Sequence, residues 1–288
     1  MPSPQEHIEA HRQAGRSFVA DGIQSFVREE GKGEAVVCMH GVPSSSYLYR
    51  KLLPALAERS YRGIAFDLPG MGLADKPLEY DYSWTGLGKW TSKATEALGL
   101  DKFHLVIHDI GGPVGMELVA AHPERILSLT ILNTLVVGLA KFKKPWTMRP
   151  FEWKGIGEIY LKTLQPSIFA PLMYLQGVED RAALPLDEGA TYVHLLKHAD
   201  GGKAFLKIMR SFEATQAKED LYLQAIKKLN VPTQIIWGDK DPALTVKAYG
   251  LPTLKATGIE RFYKLPGKHF LQEDQAPAIA DLIAEMNA

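Results

Sequence analysis

The stretch Leu105-Val106-Ile107-His108-Asp109-Ile110-Gly111-Gly112 determines how this chain of 288 residues is interpreted. Its apolar residues favour a buried strand, and its paired glycines permit a tight turn into a following helix. A strand, a turn and a helix in this order hold the central side chain out at the end of the strand, beside the backbone N–H of the next residue. The sequence therefore predicts that Asp109 is a carboxylate nucleophile.

Strand patterns recur on both sides of this turn, and helical patterns separate several of them. Segments 16–27 and 34–40 indicate two or three strands joined by tight turns. Further strands are predicted at 62–67, 102–109, 127–133, 233–238 and 261–265, and helices at 47–58 and 84–98. Such alternation is typical of an α/β fold with a mostly parallel sheet, here of about eight strands, flanked by helices.

Residues 136–219 interrupt this alternation, because they show no convincing strand pattern. They contain amphipathic segments of helical length and many aromatic residues, and an insertion of about 80 residues is too long for a simple loop. Ligands of open α/β folds bind at the carboxyl edge of the sheet, where such an insertion would form a helical lid. The predicted division is a core of residues 1–135 and 220–288 with a lid of residues 136–219.

The composition disfavours several classes of partner. The 33 basic and 33 acidic side chains balance, which gives no electrostatic reason to expect nucleic acid or an anionic membrane. No apolar run approaches the roughly 20 residues that span a bilayer, and the N-terminus lacks the layout of a signal peptide. The single cysteine, Cys38, can form no internal disulfide. We expect a cytoplasmic protein, whose oligomeric state stays open between monomer and homodimer.

A carboxylate nucleophile requires a histidine and a second acid. His269 follows the last predicted strand, and Asp241 lies in the turn after the preceding strand. Asp239, in the same turn, is the competing acid. With Asp241, the chain order is nucleophile, acid, histidine. The prediction is that Asp109 forms an ester and that His269 activates the water that hydrolyses it.

The loop His40-Gly41-Val42-Pro43 supplies a fourth part of the predicted site. It lies at the end of a strand, before the first long helical pattern. The backbone N–H of Val42, together with that of Ile110, is placed to stabilise the oxyanion formed when water attacks the ester.

Four segments together resemble the α/β-hydrolases with an aspartate nucleophile, above all the haloalkane dehalogenases and epoxide hydrolases. They are His40-Gly41-Val42-Pro43-Ser44-Ser45-Ser46-Tyr47-Leu48-Tyr49-Arg50, Asp67-Leu68-Pro69-Gly70-Met71-Gly72, His108-Asp109-Ile110-Gly111-Gly112 and Gly267-Lys268-His269-Phe270. The resemblance covers roughly residues 20–135 and 220–285 and fades in the lid. It implies an α/β-hydrolase fold and chemistry that uses no metal and no organic cofactor.

The residues beside the predicted nucleophile indicate which class of substrate it attacks. Haloalkane dehalogenases hold the leaving halide with N–H donors, usually a tryptophan after the nucleophile plus a lid tryptophan or an asparagine in the His-Gly-x-Pro loop. This chain has Ile110 and Val42 at the two core positions, and neither side chain can donate a hydrogen bond. Ile110 and Pro113 also replace the arginines expected in fluoroacetate dehalogenases. The resemblance therefore favours an epoxide over a halide.

Epoxide hydrolases typically use lid tyrosines to hydrogen-bond the oxygen of the ring. Tyr160 lies about where such enzymes place the first of these donors, and a phenol stays protonated near neutral pH. The second tyrosine usually precedes an arginine, but here Met209 precedes Arg210. Either the pair is incomplete or another lid residue substitutes. The candidates are Tyr174, Tyr192 and His194.

The favoured hypothesis is an epoxide hydrolase that converts small hydrophobic epoxides to diols, since the lid is apolar and aromatic. The alternatives are a haloalkane dehalogenase with a non-standard halide site, an esterase or lactonase, and a ligand-binding protein without catalysis. The expected partners are this substrate and water. The predicted substrate-binding residues are His40, Trp146, Trp153, Tyr174, Tyr192, His194 and Met209.

Overall fold

A computed structural model describes residues 2–288. Its centre is one eight-stranded sheet, counted over these residues, with the order β1-β2-β4-β3-β5-β6-β7-β8. The strands are β1 (Gly15–Ala20), β2 (Ile23–Glu30), β3 (Ala35–Met39), β4 (Arg62–Phe66), β5 (Phe103–Asp109), β6 (Ile126–Thr134), β7 (Thr233–Gly238) and β8 (Arg261–Leu265). The β1/β2 and β2/β4 pairs are antiparallel, and the other pairs are parallel. The predicted mostly parallel sheet is confirmed.

Helices flank this sheet and fill the long connection between β6 and β7. They are α1 (Pro4–Gln13), α2 (Leu52–Ala57), α3 (Trp84–Ala97), α4 (Gly111–Ala121), α5 (Ile156–Thr163), α6 (Pro166–Leu172), α7 (Leu186–Lys197), α8 (Lys203–Arg210), α9 (Gln216–Lys228), α10 (Leu251–Thr257), α11 (Leu271–Asp274) and α12 (Ala276–Asn287). Two π-helical turns, Met173–Gly177 and Val246–Gly250, accompany them.

Two helical regions differ from the sequence-based expectation. The helix predicted at 47–58 is divided into a 3₁₀ turn, Ser46–Tyr49, and the short helix α2. Pro54 has no N–H to bond to residue 50, which disfavours one continuous helix. Helix α1 was not predicted, although Ser3 and Glu6 form a capping box at its start.

The central strands bring the predicted nucleophile to the edge of the core. β3 is buried along its whole length, and β5 is buried up to its last residue, Asp109, which is partly exposed. Cys38 lies within β3 and is buried. An apolar strand that is covered on both faces thus delivers one carboxylate to the carboxyl edge of the sheet.

The chain between β6 and β7 is helical, and no strand occurs in this described segment. Helix α9 crosses the predicted domain boundary at residue 220 and packs against the core helix α4. The division into a core and a lid at residues 136 and 219 stays a prediction, and "lid" here denotes residues 136–219. Within residues 2–288, no helix combines the length and the apolar character needed to cross a bilayer.

Candidate active site

The turn between β5 and α4 holds Asp109 in an unusual backbone conformation. Its φ is +52°, in the left-handed region that few non-glycine residues adopt. A Cβ at Gly41 would overlap the Asp109 carboxylate, and a Cβ at Gly111 would lie 2.5 Å from the carbonyl oxygen of Met39. Both positions require glycine because other groups approach the backbone closely. The end of β3 and the turn after β5 are therefore packed too closely for a larger residue at either position.

Backbone donors hold the Asp109 carboxylate from one side. The N–H of Val42 donates to Asp109 Oδ1 over 2.7 Å, and the backbone of Ile110 helps to lower the pKa of this carboxyl group. The Val42 donor predicted for an oxyanion hole therefore contacts the carboxylate itself, and Ile110 follows Asp109 directly in the chain. An ester carbonyl formed on Asp109 would lie beside the same N–H groups.

His269 lies between the two aspartates. Its Nδ1 is 2.8 Å from Asp241 Oδ2, and its Nε2 is 3.3 Å from Asp109 Oδ2. The other oxygen of Asp241 accepts hydrogen bonds from two backbone N–H groups that follow it in the chain. Asp239 is exposed and faces the N–H of Gly267 at 3.4 Å. The geometry thus selects Asp241 rather than Asp239 as the acid partner of His269.

Charge interactions set the protonation of these groups. Burial disfavours the charged form of His269, but attraction by Asp241, with hydrogen bonds to both aspartates, raises its pKa to about 10. Burial also disfavours ionised Asp109 and Asp241, but His269 lowers the pKa of each. At rest near neutral pH, the site therefore holds an imidazolium between two carboxylates.

Two further residues orient the catalytic groups, although the sequence analysis did not select them. Asn133 donates from Nδ2 to Asp241 Oδ2 over 2.7 Å and accepts the N–H of Gly238 on its Oδ1. Its signal was a polar residue ending a buried strand. His108 Nε2 lies 2.8 Å from the carbonyl oxygen of His269, and burial lowers the His108 pKa to about 4. His108 is therefore neutral at pH 7 and donates this hydrogen bond.

A cavity opens above Asp109 and encloses about 960 Å³, counting the part that is open to solvent. Its core wall includes Val42, Asp109, Ile110 and His269, and its lid wall is mostly apolar. The lid residues at this wall include Phe142, Met148, Phe151, Tyr160, Leu164, Phe169, Met173, Phe205, Met209 and Phe212. Of the predicted lid residues, Tyr160 and Met209 therefore lie at the cavity.

His40 does not line the cavity, so its predicted role in substrate binding is corrected. Its ring is fully buried, its Nε2 accepts the N–H of Leu68 over 3.0 Å, and its Nδ1 faces the carbonyl oxygen of Gly41 at 3.0 Å. Both ring nitrogens are engaged with backbone, which makes His40 a support of the oxyanion loop.

The other predicted substrate-binding residues also lie outside the cavity lining. Trp146 and Trp153 are 69% and 49% exposed on the outer surface. Tyr174 donates from its hydroxyl to the carbonyl oxygen of Leu184. Tyr192 is buried and donates to Glu273, and His194 lies on α7 among residues that do not line the cavity. These predictions are corrected, because composition could not tell which lid side chains turn toward the site.

Over the described range 2–288, no three side chains of His, Cys, Asp or Glu are grouped so that they could hold a metal ion.

Fold and site together define a class of protein. The model of the alpha/beta hydrolase fold family matches residues 34–276, so the chain belongs to this family. A haloalkane dehalogenase of Psychrobacter cryohalolentis is 28% identical over 272 residues, which cover 89% of this chain and 85% of that protein.

Solved structures support the same fold. Cfl2 of Burkholderia cenocepacia has a TM-score of 0.80 and 22% identity, with 95% of each chain covered. The epoxide hydrolase VrEH1 of Vigna radiata has a TM-score of 0.75 and 22% identity, with 94% of this chain and 96% of that chain covered. At this level of identity, the likeness extends to the fold alone.

Proposed function

We propose that this hydrolase opens small hydrophobic epoxides through a covalent ester on Asp109. The observation that carries the proposal is the array in which His269 contacts Asp109 and Asp241 beside an apolar cavity. A carboxylate nucleophile, a histidine base and a supporting acid are the groups that two-step hydrolysis requires.

In the first step, an Asp109 oxygen attacks a ring carbon of the epoxide. The C–O bond breaks, its electron pair passes to the ring oxygen, and Tyr160 donates its hydroxyl proton to that oxygen. Tyr160 lines the cavity, and its hydroxyl has no hydrogen-bond partner among the described residues. Burial raises the pKa of Tyr160, so the phenol is protonated near neutral pH and can act as a donor.

In the second step, water hydrolyses the ester. Esterification removes the Asp109 charge, which is one of the groups that hold the proton on His269, so the pKa of His269 falls. The imidazolium proton then passes through solvent to the Tyr160 phenolate, and the neutral imidazole becomes a base. Neutral His269 takes a proton from water, and the hydroxide attacks the ester carbonyl. The N–H groups of Val42 and Ile110 stabilise the oxyanion. As it collapses, the bond to the alkyl oxygen breaks, and the departing alkoxide takes the proton from the His269 imidazolium to give the diol. The new carboxyl group then gives its proton to His269, which restores the carboxylate and the resting imidazolium.

Dehalogenation is the second candidate, favoured by the similarity to a haloalkane dehalogenase. Against it stand Val42 and Ile110, whose side chains offer no donor to a leaving halide. Tyr160, by contrast, offers the O–H donor that an epoxide oxygen needs.

A cytoplasmic location is part of the proposal and is supported by the single, buried Cys38.

Parallel assays with styrene oxide and 1,2-dibromoethane test the proposal. We expect diol from styrene oxide and little halide from the dibromide. Halide release without diol would reject the epoxide assignment in favour of dehalogenation.

His269→Gln tests the covalent step directly. We expect the peptide that contains Asp109 to gain the mass of the substrate, because the ester forms but is not hydrolysed. Asp109→Ala is the control and should show no increment. A peptide of unchanged mass in His269→Gln, after exposure to a substrate that the wild type turns over, would contradict the covalent mechanism.

A further inference from the structure

Gln176 is a polar side chain on the lid wall of the cavity that the sequence analysis did not select. It lies in the π-helical turn Met173–Gly177, between α6 and α7. Single π-helical turns are rare and occur frequently at functional sites. Gln176 lines the same cavity as Asp109 and His269.

The backbone at Gln176 is attached to the loop of the catalytic histidine. The carbonyl oxygen of Gln176 accepts the N–H of His269 over 3.3 Å, and that of Gly177 accepts the N–H of Phe270 over 2.7 Å. A Cβ at Gly177 would lie 2.7 Å from the Phe270 ring, so the two segments are packed closely. The position of Gln176 is therefore set relative to His269 and not by the lid alone.

The carboxamide of Gln176 is oriented by a neighbour. Its Oε1 accepts a hydrogen bond from the Thr147 hydroxyl over 3.0 Å, and Thr147 is buried. This bond leaves the Nε2 amide without a partner in the described part of the chain. An amide nitrogen is a donor only, so an acceptor must satisfy it when a substrate displaces water.

The other polar side chains of the lid wall are otherwise engaged, apart from Tyr160. Lys144 pairs with Glu152 over 2.7 Å and lies 4.1 Å from the centre of the Phe212 ring. The Thr147 hydroxyl is used by Gln176. The uncommitted donors at this wall, among residues 2–288, are thus the Gln176 amide and the Tyr160 hydroxyl.

We infer that Gln176 is a catalytic residue whose Nε2 donates a hydrogen bond to the leaving atom while Asp109 attacks carbon. This inference rests on the proposed function. In epoxide opening, the C–O electron pair goes to the ring oxygen; Tyr160 supplies the proton, and the Gln176 amide stabilises the negative charge without transferring a proton. Gln176 thereby takes the place of the second lid donor that Met209 cannot supply.

Single-turnover kinetics with styrene oxide separate the two steps and test this assignment. Gln176→Leu should slow ester formation roughly tenfold to hundredfold, the effect of losing one hydrogen bond to a charged group. Hydrolysis of the ester should change less than about twofold, because the leaving atom takes no part in it. Thr147→Val should slow ester formation less, by roughly threefold to tenfold, while Thr147→Ser should restore it.

Gln176→Glu adds a readout that a packing role would not change. A carboxylate at this position repels the developing oxyanion, whereas a protonated carboxyl can donate to it. Relative to the wild type at the same pH, ester formation by this variant should recover as the pH falls toward the ordinary pKa of glutamate. Thermal unfolding of each variant checks that the fold is retained.

The outcomes separate this inference from the proposed function. Ester formation at the wild-type rate in folded Gln176→Leu would overturn the role of Gln176 alone. If styrene oxide fails but 1,2-dibromoethane esterifies Asp109, the epoxide proposal falls, and the same variants measured with the dibromide decide whether Gln176 holds the leaving bromide. An absence of ester with both compounds in His269→Gln overturns both proposals.

Discussion

The two walls of the cavity are built in opposite ways. On the core side, Asp109 and His269 line the cavity and Asp241 lies behind His269. Each of the three has two or more hydrogen-bond partners and is held by strand ends and tight turns. On the lid wall, the surface is mostly apolar, and two donors, the Tyr160 hydroxyl and the Gln176 Nε2, have no partner among the described residues. A rigid charged wall suits the chemistry that every substrate shares. An apolar wall with few free donors can select a substrate by its shape and by the position of its acceptor atoms.

Replacement of Asp241, the acid partner of His269, should have the largest effect on the rate of ester hydrolysis. Asp241→Asn leaves the shape of the core wall intact but removes the charge that holds the imidazole, so we expect ester hydrolysis to slow by roughly 10²-fold to 10⁴-fold. The matched control is Asp239→Asn, in the same turn but exposed, which should change the rate less than about threefold. Equal losses in the two variants, measured by single turnover, would remove the distinction between these aspartates.

Replacement of Arg50, which contacts Glu273 of the core and Glu188 of the lid, should have the next largest effect, on the free energy of unfolding. Arg50 hydrogen-bonds to the fully buried Glu273 over 2.9 Å and to Glu188 on α7. Arg50→Met leaves the Glu273 carboxylate buried without this partner, so we expect the free energy of unfolding to fall by about 3–5 kcal/mol in urea titrations. Arg12→Met, at an exposed pair with Glu9, should change it by less than about 0.5 kcal/mol. A similar loss in both would mean that the buried cluster adds no special stability.

The free hydroxyl on the lid wall should matter for epoxides only. Tyr160→Phe keeps the ring that packs beside Phe151 and removes the proton donor. We expect ester formation from styrene oxide to slow roughly tenfold to hundredfold, while ester formation from 1,2-dibromoethane is unchanged. An unaltered rate with the epoxide would reassign Tyr160 to packing.

The charge of His269 predicts a pH-dependent stability. Its folded pKa is raised to about 10, above the ordinary value of 6.5, so its stabilising effect is complete below about pH 6.5 and is lost as the pH rises through about 10. The difference in free energy of unfolding between the wild type and His269→Gln should therefore fall by more than about 1 kcal/mol over this window. Denaturant titrations at pH 6, 8 and 10 measure it, and a constant difference would show that His269 is not protonated at rest.

Replacement of the exposed lid tryptophans should have the smallest effect on the kinetic constants. Trp146 and Trp153 are exposed and lie outside the cavity lining, so Trp146→Ala and Trp153→Ala should leave kcat and KM within about twofold of the wild type. A several-fold rise in KM for the hydrophobic substrate would place these side chains on its path after all.

Local sequence patterns determined the sheet and the position of Asp109 at the end of its central strand. Strand periodicity located β5, β7 and β8, and the paired glycines after Asp109 identified the turn that presents it, because strands and tight turns depend on neighbouring residues. The order of Asp109, Asp241 and His269 along the chain followed from the same strand ends, since parallel strands bring their carboxyl ends to one edge.

Only the tertiary structure decided which lid side chains meet the site. Tyr192 and Trp153 were both predicted to bind substrate, yet the first is buried against Glu273 and the second is exposed outside the cavity lining. The sequence pattern did not predict a role for Gln176. Its exposure to the cavity depends on contacts with His269 and Thr147, which lie far from it along the chain. Packing between distant segments decides which face of a helix points to the cavity and which hydrogen-bond donors there lack a partner. Local sequence patterns do not encode this packing.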